Sequence, residues 1–295
     1  MTMESVDIPD DFLPPEAPHN AHSQSIDFTA TDPRLPRYKN LFAAVIDDLF
    51  TESECKELIR LAEATTITTA TFSGDSASAT TTPTWERAMI NVGNGKQVLA
   101  TDTRNCGRII WDSPLLAQRL LDRLMPFLRD FGMEKIENQP LVTGLAGRKN
   151  VYHLSRLNER LRFLKYEGGE YFRPHWDAFY VTPRKEEISY YTIHLYLNGD
   201  GEQDLEELTR EKERVEEKGD GEKNVNGDPA GKLLGGATSF VPNFREEDRA
   251  VRIFPKTGSV LVFQQNNLLH GGDPVFRGTK YTMRTDVMYK KQAIS

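Results

Sequence analysis

The 295-residue chain predicts a mainly β fold with supporting helices, its strands forming an antiparallel double sheet. Two observations carry that prediction. From about Arg162 onward strand-favouring runs follow one another, Tyr190 to Leu197 and Ser259 to Gln264 being the richest, and Gly168-Gly169 reads as a hairpin turn. Upstream, two apolar stripes at helical spacing supply the helices that usually support one face of such a sheet.

Residues 1–37 hold Pro9, Pro14, Pro15, Pro18, Pro33 and Pro36 without any period, which predicts an extended arm; His19 and His22 within it read as solvated. Residues 38–295 are expected to form a single domain. The run Leu-Phe-Ala-Ala-Val-Ile ending at Ile46 reads as a strand leading to a helix, with Thr51 as its N-cap and Glu54 completing a Thr-x-x-Glu capping box. Leu58, Ile59, Leu61 and Ala62 form its apolar stripe. The polar stretch Thr65 to Thr103 is longer than a plain connection and reads as a lid or binding loop. Ser113-Pro114 then opens a second helix along Leu116, Leu120, Leu121, Leu124 and Leu128, which Pro126 should kink or end. A charged insertion at about 201–230, its core running from Glu202 to Asp228, breaks the strand pattern as a short helix or a mobile excursion.

Composition narrows the function. A net charge of -7 and a pI near 5.5 disfavour nucleic acid and anionic membrane as main partners, because a polyanion is repelled except at a basic patch. No apolar run approaches a membrane span. Cys55 and Cys106 are too few for a disulfide framework, so a soluble, cytoplasmic protein is expected. Oligomeric state leaves no signal.

The chemistry centres on Tyr166 to Asp177, where His175 and Asp177 stand two apart and alternation in a strand would point both to one face. His270 is a third candidate ligand. Two histidines and one carboxylate make the facial triad of non-haem Fe(II) oxygenases, which leaves open positions on the metal. Beyond His270 the sequence reads as a hairpin returning a strand with Lys280, Thr282 and Arg284 on one face. His194 shares parity with Thr192 and Tyr196, which allows it to point into the cosubstrate cavity; a hydrogen-bonded core histidine is the favoured expectation there.

These pieces, together with Asn158 to Arg162, Thr192 to Asn198, Gly235 to Phe240 and Pro255 to Phe263, resemble the prolyl-4-hydroxylase-type branch of the 2-oxoglutarate- and Fe(II)-dependent oxygenases, in particular its small fungal and microbial members. The resemblance runs from about Tyr38 to Tyr289 and implies a jelly-roll, or double-stranded β-helix, core of cupin-like form. It implies Fe(II), 2-oxoglutarate and dioxygen as cofactors, and allows ascorbate. His175, Asp177 and His270 become metal ligands, and Lys280 the anchor for the distal carboxylate of 2-oxoglutarate, with Tyr166, Tyr196 and Thr282 beside it. Arg284 is the rival anchor, otherwise a substrate contact or a partner of Asp286. The mouth would include Trp85, Arg87 and Asn91. The expected reaction is oxidation of a small molecule such as an amino acid or secondary metabolite, with 2-oxoglutarate decarboxylated to succinate and CO2. The alternatives are a prolyl 4-hydroxylase acting on peptide and a non-catalytic binding module of the same fold.

Overall fold

A computed structural model of the chain describes residues 6–67, 82–91, 93, 96–217 and 228–292. Its centre is a large antiparallel sheet in which the strands run, in spatial order, His22–Ser25, Ala43–Asp47, Val260–Gln264, Glu187–Tyr196, Lys280–Lys291, Arg160–Tyr166, Gly107–Asp112 and Glu86–Arg87. A smaller antiparallel sheet follows the order Val251–Ile253, Thr238–Phe240, His270–Gly272, Tyr171–His175 and Arg104–Asn105. This is the double-sheet, jelly-roll arrangement, mainly β with helices outside.

Period-two alternation decides which side chain goes where. On the strand Glu187–Tyr196, Tyr191, Ile193 and Leu195 turn to the helical side, where they join the cluster built on Leu58, Leu116, Leu120 and Leu124. The helices are α1 (Glu52–Ala64) and α2 (Pro114–Asp130). Tyr196, Phe240, Leu261, Phe263 and Val251 form a second cluster that joins the two sheets. The capping box forms as read: Thr51 Oγ1 accepts from the Glu54 amide at 3.2 Å, and Glu54 accepts from the Thr51 amide at 2.8 Å.

Several elements differ from the reading. Pro126 does not end α2, which continues to Asp130, because buried Leu124 and Leu128 flank it and their burial offsets the lost hydrogen bond. Residues 6–37 are extended over much of their length but docked. His22–Ser25 adds an edge strand, Leu13, Phe28 and Leu35 are buried, and Arg123 donates to the Pro14 carbonyl at 2.9 and 2.7 Å. Gly168 and Gly169, at φ +58° and +79°, make a sharp turn, yet the flanking strands do not pair with each other. The turn carries the chain from the large sheet to the small one. The same holds after His270, whose strand lies in the small sheet while Lys280–Lys291 lies in the large one. In the charged insertion, α4 (Leu205–Glu217) is helical and tied down by Arg277 to Glu207 at 2.6 Å; α3 is the short Pro140–Gly147. The insertion's residues 218–227, and residues 68–81 of the expected lid, lie outside those described.

Candidate metal centre

His175 ends its strand in the small sheet and is the direct register partner of His270 on the neighbouring strand. Asp177 follows two residues past the strand end. The three ligand atoms lie within 4.8 Å of one another, with Nε2 of His175 3.7 Å from Asp177 Oδ1 and Nε2 of His270 3.8 Å from Oδ2. Each imidazole uses Nδ1 to donate to a carbonyl two residues back, Arg173 at 2.9 Å and Leu268 at 3.0 Å. That bond fixes the tautomer, so both Nε2 lone pairs point at the shared space. Burial holds both rings neutral: His175 is pushed down to about 3 by burial and by His270 beside it, and His270 is lowered by burial.

Burial alone would raise the Asp177 carboxyl, but Arg284 and the two histidines hold it well below the usual carboxylate range. Arg284 reaches Asp177 Oδ2 at 2.9 Å, and Thr192 donates to the same oxygen at 2.7 Å. Two neutral nitrogens and one carboxylate oxygen on one side of a common point form the donor set a first-row divalent metal takes, with the remaining positions free. The residues fit the metal.

Next to the triad, the facing sheets line a space partly open to solvent, bounded by Tyr166, Lys280, Leu164, Arg284 and His194 of the large sheet and the small-sheet histidines. Lys280 is 2% exposed and forms no ion pair among the described residues; its Nζ lies 5.1 Å from the Tyr166 ring centroid and 5.8 Å from that of Tyr196. Burial lowers it to about 8. Gly236, at φ +70°, leaves the room Lys280 needs, since a Cβ there would stand 3.0 Å from its Cδ. Thr282 Oγ1 is buried without a hydrogen-bond partner, while Tyr196 Oη pairs with Thr238 Oγ1 at 2.8 Å. A buried ammonium and an unused hydroxyl on one strand fit a carboxylate, the distal end of 2-oxoglutarate.

Three expectations change in the structure. Arg284 pairs with the Asp177 carboxylate of the candidate triad as well as with Asp286 at 3.4 Å, the second being the ion pair read as its alternative, whereas Lys280 forms none among the described residues. His194 is not a satisfied core histidine: it lines the cavity, and its Nε2 has no partner. At the mouth, Trp85 packs on Tyr281 and donates to Glu63, and Arg87 pairs with Glu170, so neither lines the cavity; the Asn91 side chain lies outside those described. A cavity residue absent from the sequence reading is Arg104, which carries no motif; only its place beside Phe172 across the sheet reveals it.

Residues 161–285 match the family model for the 2OG-Fe(II) oxygenase superfamily, a span holding the triad and Lys280. A search of curated proteins gives no match. Among solved structures, the chain is similar to a viral collagen prolyl hydroxylase from Paramecium Bursaria Chlorella virus-1 (16% identity, 84% of this chain and 96% of that one, TM-score 0.41). A Pseudomonas putida prolyl-4-hydroxylase follows (18%, 66% and 76%, 0.35). So does a Trichoplax adhaerens prolyl hydroxylase in complex with a hypoxia inducible factor peptide fragment (15%, 68% and 70%, 0.37). The 2OG-Fe(II) oxygenase match thus covers residues 161–285, the part of the chain that carries the candidate triad. The protein is an Fe(II)- and 2-oxoglutarate-dependent dioxygenase that uses dioxygen. No helix among the described residues is long and apolar enough to cross a membrane.

Proposed function

We propose that the protein oxidises a C–H bond of a small molecule, by hydroxylation or a related oxidation, as 2-oxoglutarate is converted to succinate and CO2. The observation that carries this reading is the cavity, a space between two sheets lined by buried polar atoms with unused hydrogen-bonding capacity, His194 Nε2 and Arg284 Nε among them. Sites of that kind orient compact ligands through a few placed polar groups.

When bound, Fe(II) supplies the activation of dioxygen. The chain's own residues do the rest. His175, Asp177 and His270 would hold the metal from one side, leaving the cavity side open for the reactants. Lys280, with the Thr282 hydroxyl, would bind the distal carboxylate of 2-oxoglutarate and so set the direction from which its keto acid end approaches the metal. Phe172, stacked on His175 with centroids 3.7 Å apart, and Phe263, edge-on to His270 at 4.6 Å, keep water from the ligand rings. Arg284 and Thr192 hold the Asp177 carboxylate in place.

One observation favours a second reading, a prolyl 4-hydroxylase acting on peptide. Trp176, between His175 and Asp177 in the chain, is 54% exposed and meets Phe244, 53% exposed, edge-on at 5.2 Å, an apolar pair suited to a chain lying across the mouth. A screen for succinate release with amino acids and small metabolites on one side and Pro-containing peptides on the other separates the two. Stimulation by small molecules with only uncoupled background from peptides is the expected result; the reverse establishes the peptide reading. Replacing His175 or His270 by Ala should abolish the Fe(II)-dependent release in either case.

A further inference from the structure

Among the described residues, the cavity has two cations that form no ion pair, and the cosubstrate would account for one of them. Arg104 sits on Arg104–Asn105, the edge strand of the small sheet, in register with Phe172. Partners across an antiparallel pair share a face, and both residues line the cavity. Arg104 is 8% exposed, its Nε has no hydrogen-bond partner, and it makes no ion pair among the described residues. Its polar neighbours, Tyr166 and Cys106, are a phenol and a thiol rather than carboxylates. Its guanidinium lies 4.6 Å from the Phe172 ring centroid, and that ring is stacked at 3.7 Å on the His175 imidazole. The order guanidinium, phenyl, imidazole places a fixed positive charge one aromatic ring away from a metal ligand.

An arginine stays charged at any pH a protein survives, and burying that charge without an acid is costly. A site that keeps one is completed by an anion. The two carboxylates of 2-oxoglutarate are spoken for, one by Lys280 and one by the metal, and Arg284 already has Asp177. Position separates the two free cations as well. Lys280 lies on a central strand of the large sheet, while Arg104 lies on the edge strand of the small sheet.

We propose that Arg104 binds a carboxylate of the oxidised substrate, and that the substrate is therefore a small carboxylic acid. The guanidinium would clamp that carboxylate in fork geometry and hold the adjoining carbons over the open side of the metal, so the oxidised carbon lies within a few bonds of the acid group. The proposal rests on the small-molecule reading above.

The experiment uses the full chain with Fe(II). A panel of free amino acids and simple mono- and dicarboxylic acids is compared with the corresponding primary amides, with succinate release above background as one readout. Thermal stabilisation under anaerobic conditions in the presence of Mn(II) and 2-oxoglutarate is the other. Acids should stimulate and stabilise; the matching amides should do neither. Arg104→Gln should weaken the best acid by about ten- to a thousandfold in both readouts, as expected for removing one partner of a buried charge pair, and Arg104→Lys should restore part of it. The 2-oxoglutarate affinity of Arg104→Gln, from the visible band of the anaerobic Fe(II) chelate, should move far less. Equal response to acids and amides overturns the proposal without any variant, and so does a loss of 2-oxoglutarate affinity as large as the loss for the acid, which would make Arg104 part of the cosubstrate anchor. Peptide-driven turnover with no response to any small molecule is a different failure, that of the small-molecule reading itself.

Discussion

Lys280 and Arg284 stand four residues apart on one face of one strand, and their surroundings give them different work. Lys280 is buried beside two aromatic rings, and that burial lowers it to about 8 against the weaker opposing pull of Asp273. Its folded value lies below the ordinary 10.5, so its stabilising contribution is fully present above 10.5 and is lost as pH falls through about 8. A bound carboxylate reverses the balance by stabilising the ammonium. Above pH 8 the free protein must take up a proton to bind 2-oxoglutarate, and affinity should fall there by up to about tenfold per pH unit. Anaerobic titration of the Fe(II) chelate between pH 7 and 9 measures this; Lys280→Arg should flatten the profile, and Lys280→Ala should raise the 2-oxoglutarate requirement by about one to three decades. Arg284, held 2.9 Å from Asp177 Oδ2, should act on the metal instead. Arg284→Met is expected to weaken Fe(II) binding by about 10- to 100-fold, the usual loss when the partner of a ligating carboxylate is removed. Unchanged Fe(II) affinity with impaired 2-oxoglutarate binding would reverse the assignment of the two cations.

At the scale of elements, local rules succeeded where the deciding contact is local. The Thr51 cap and the Glu54 return bond lie within three residues and form as the motif dictates. Glu54 then does a second task invisible in the motif, accepting from buried Arg123 of α2 at 2.7 Å and so tying the two helices together. Glu54→Ala should therefore cost more than a lost cap. About 3 to 5 kcal/mol is expected from stranding a buried guanidinium, against about 1 for the cap alone, and urea unfolding distinguishes the two. Pro126 shows the opposite weighting. Its missing amide and ring clash are local costs, while Leu124 and Leu128 at its sides are fully buried in the core. Pro126→Ala should stabilise the protein by about 1 to 3 kcal/mol by restoring the helical bond to Asp122, read as a higher urea midpoint at unchanged slope.

For the molecule as a whole, the N-terminal stretch is the largest departure from the sequence reading. Its prolines and lack of period describe a chain unable to fold alone, and that remains true. It is ordered by what it covers: His22–Ser25 closes an edge of the large sheet, Phe28 packs edge-on to Tyr38 and Phe240, and Arg119 and Arg123 bind carbonyls of Pro9, Phe12 and Pro14. Removing residues 1–37 should expose that edge and open the cluster behind Phe240, whose ring lies 6.2 Å from His270. The truncated protein is expected to unfold at lower temperature and bind Fe(II) more weakly; equal melting temperature and affinity would show the segment to be dispensable.

The sequence by itself determined the parts whose physics is short-ranged. Spacing announced the helices, the rich strand runs, the His175–Asp177 pair and the shared face of Lys280, Thr282 and Arg284, because periodicity is a property of neighbouring residues. Only the tertiary structure decided which strands meet. Gly168-Gly169 is a turn in either case, and no local property says whether the chain leaving it pairs with the strand before it or crosses to the other sheet; burial across the core chooses the crossing. That choice sets His175 directly opposite His270, brings Arg284 to Asp177 across more than a hundred residues, and seats Arg104 in a cavity to which no motif assigns it. Long-range pairing is settled by the free energy of the whole packed core, and for that reason the candidate ligands were legible in the chain while the Arg284–Asp177 pair and the place of Arg104 in the cavity were not.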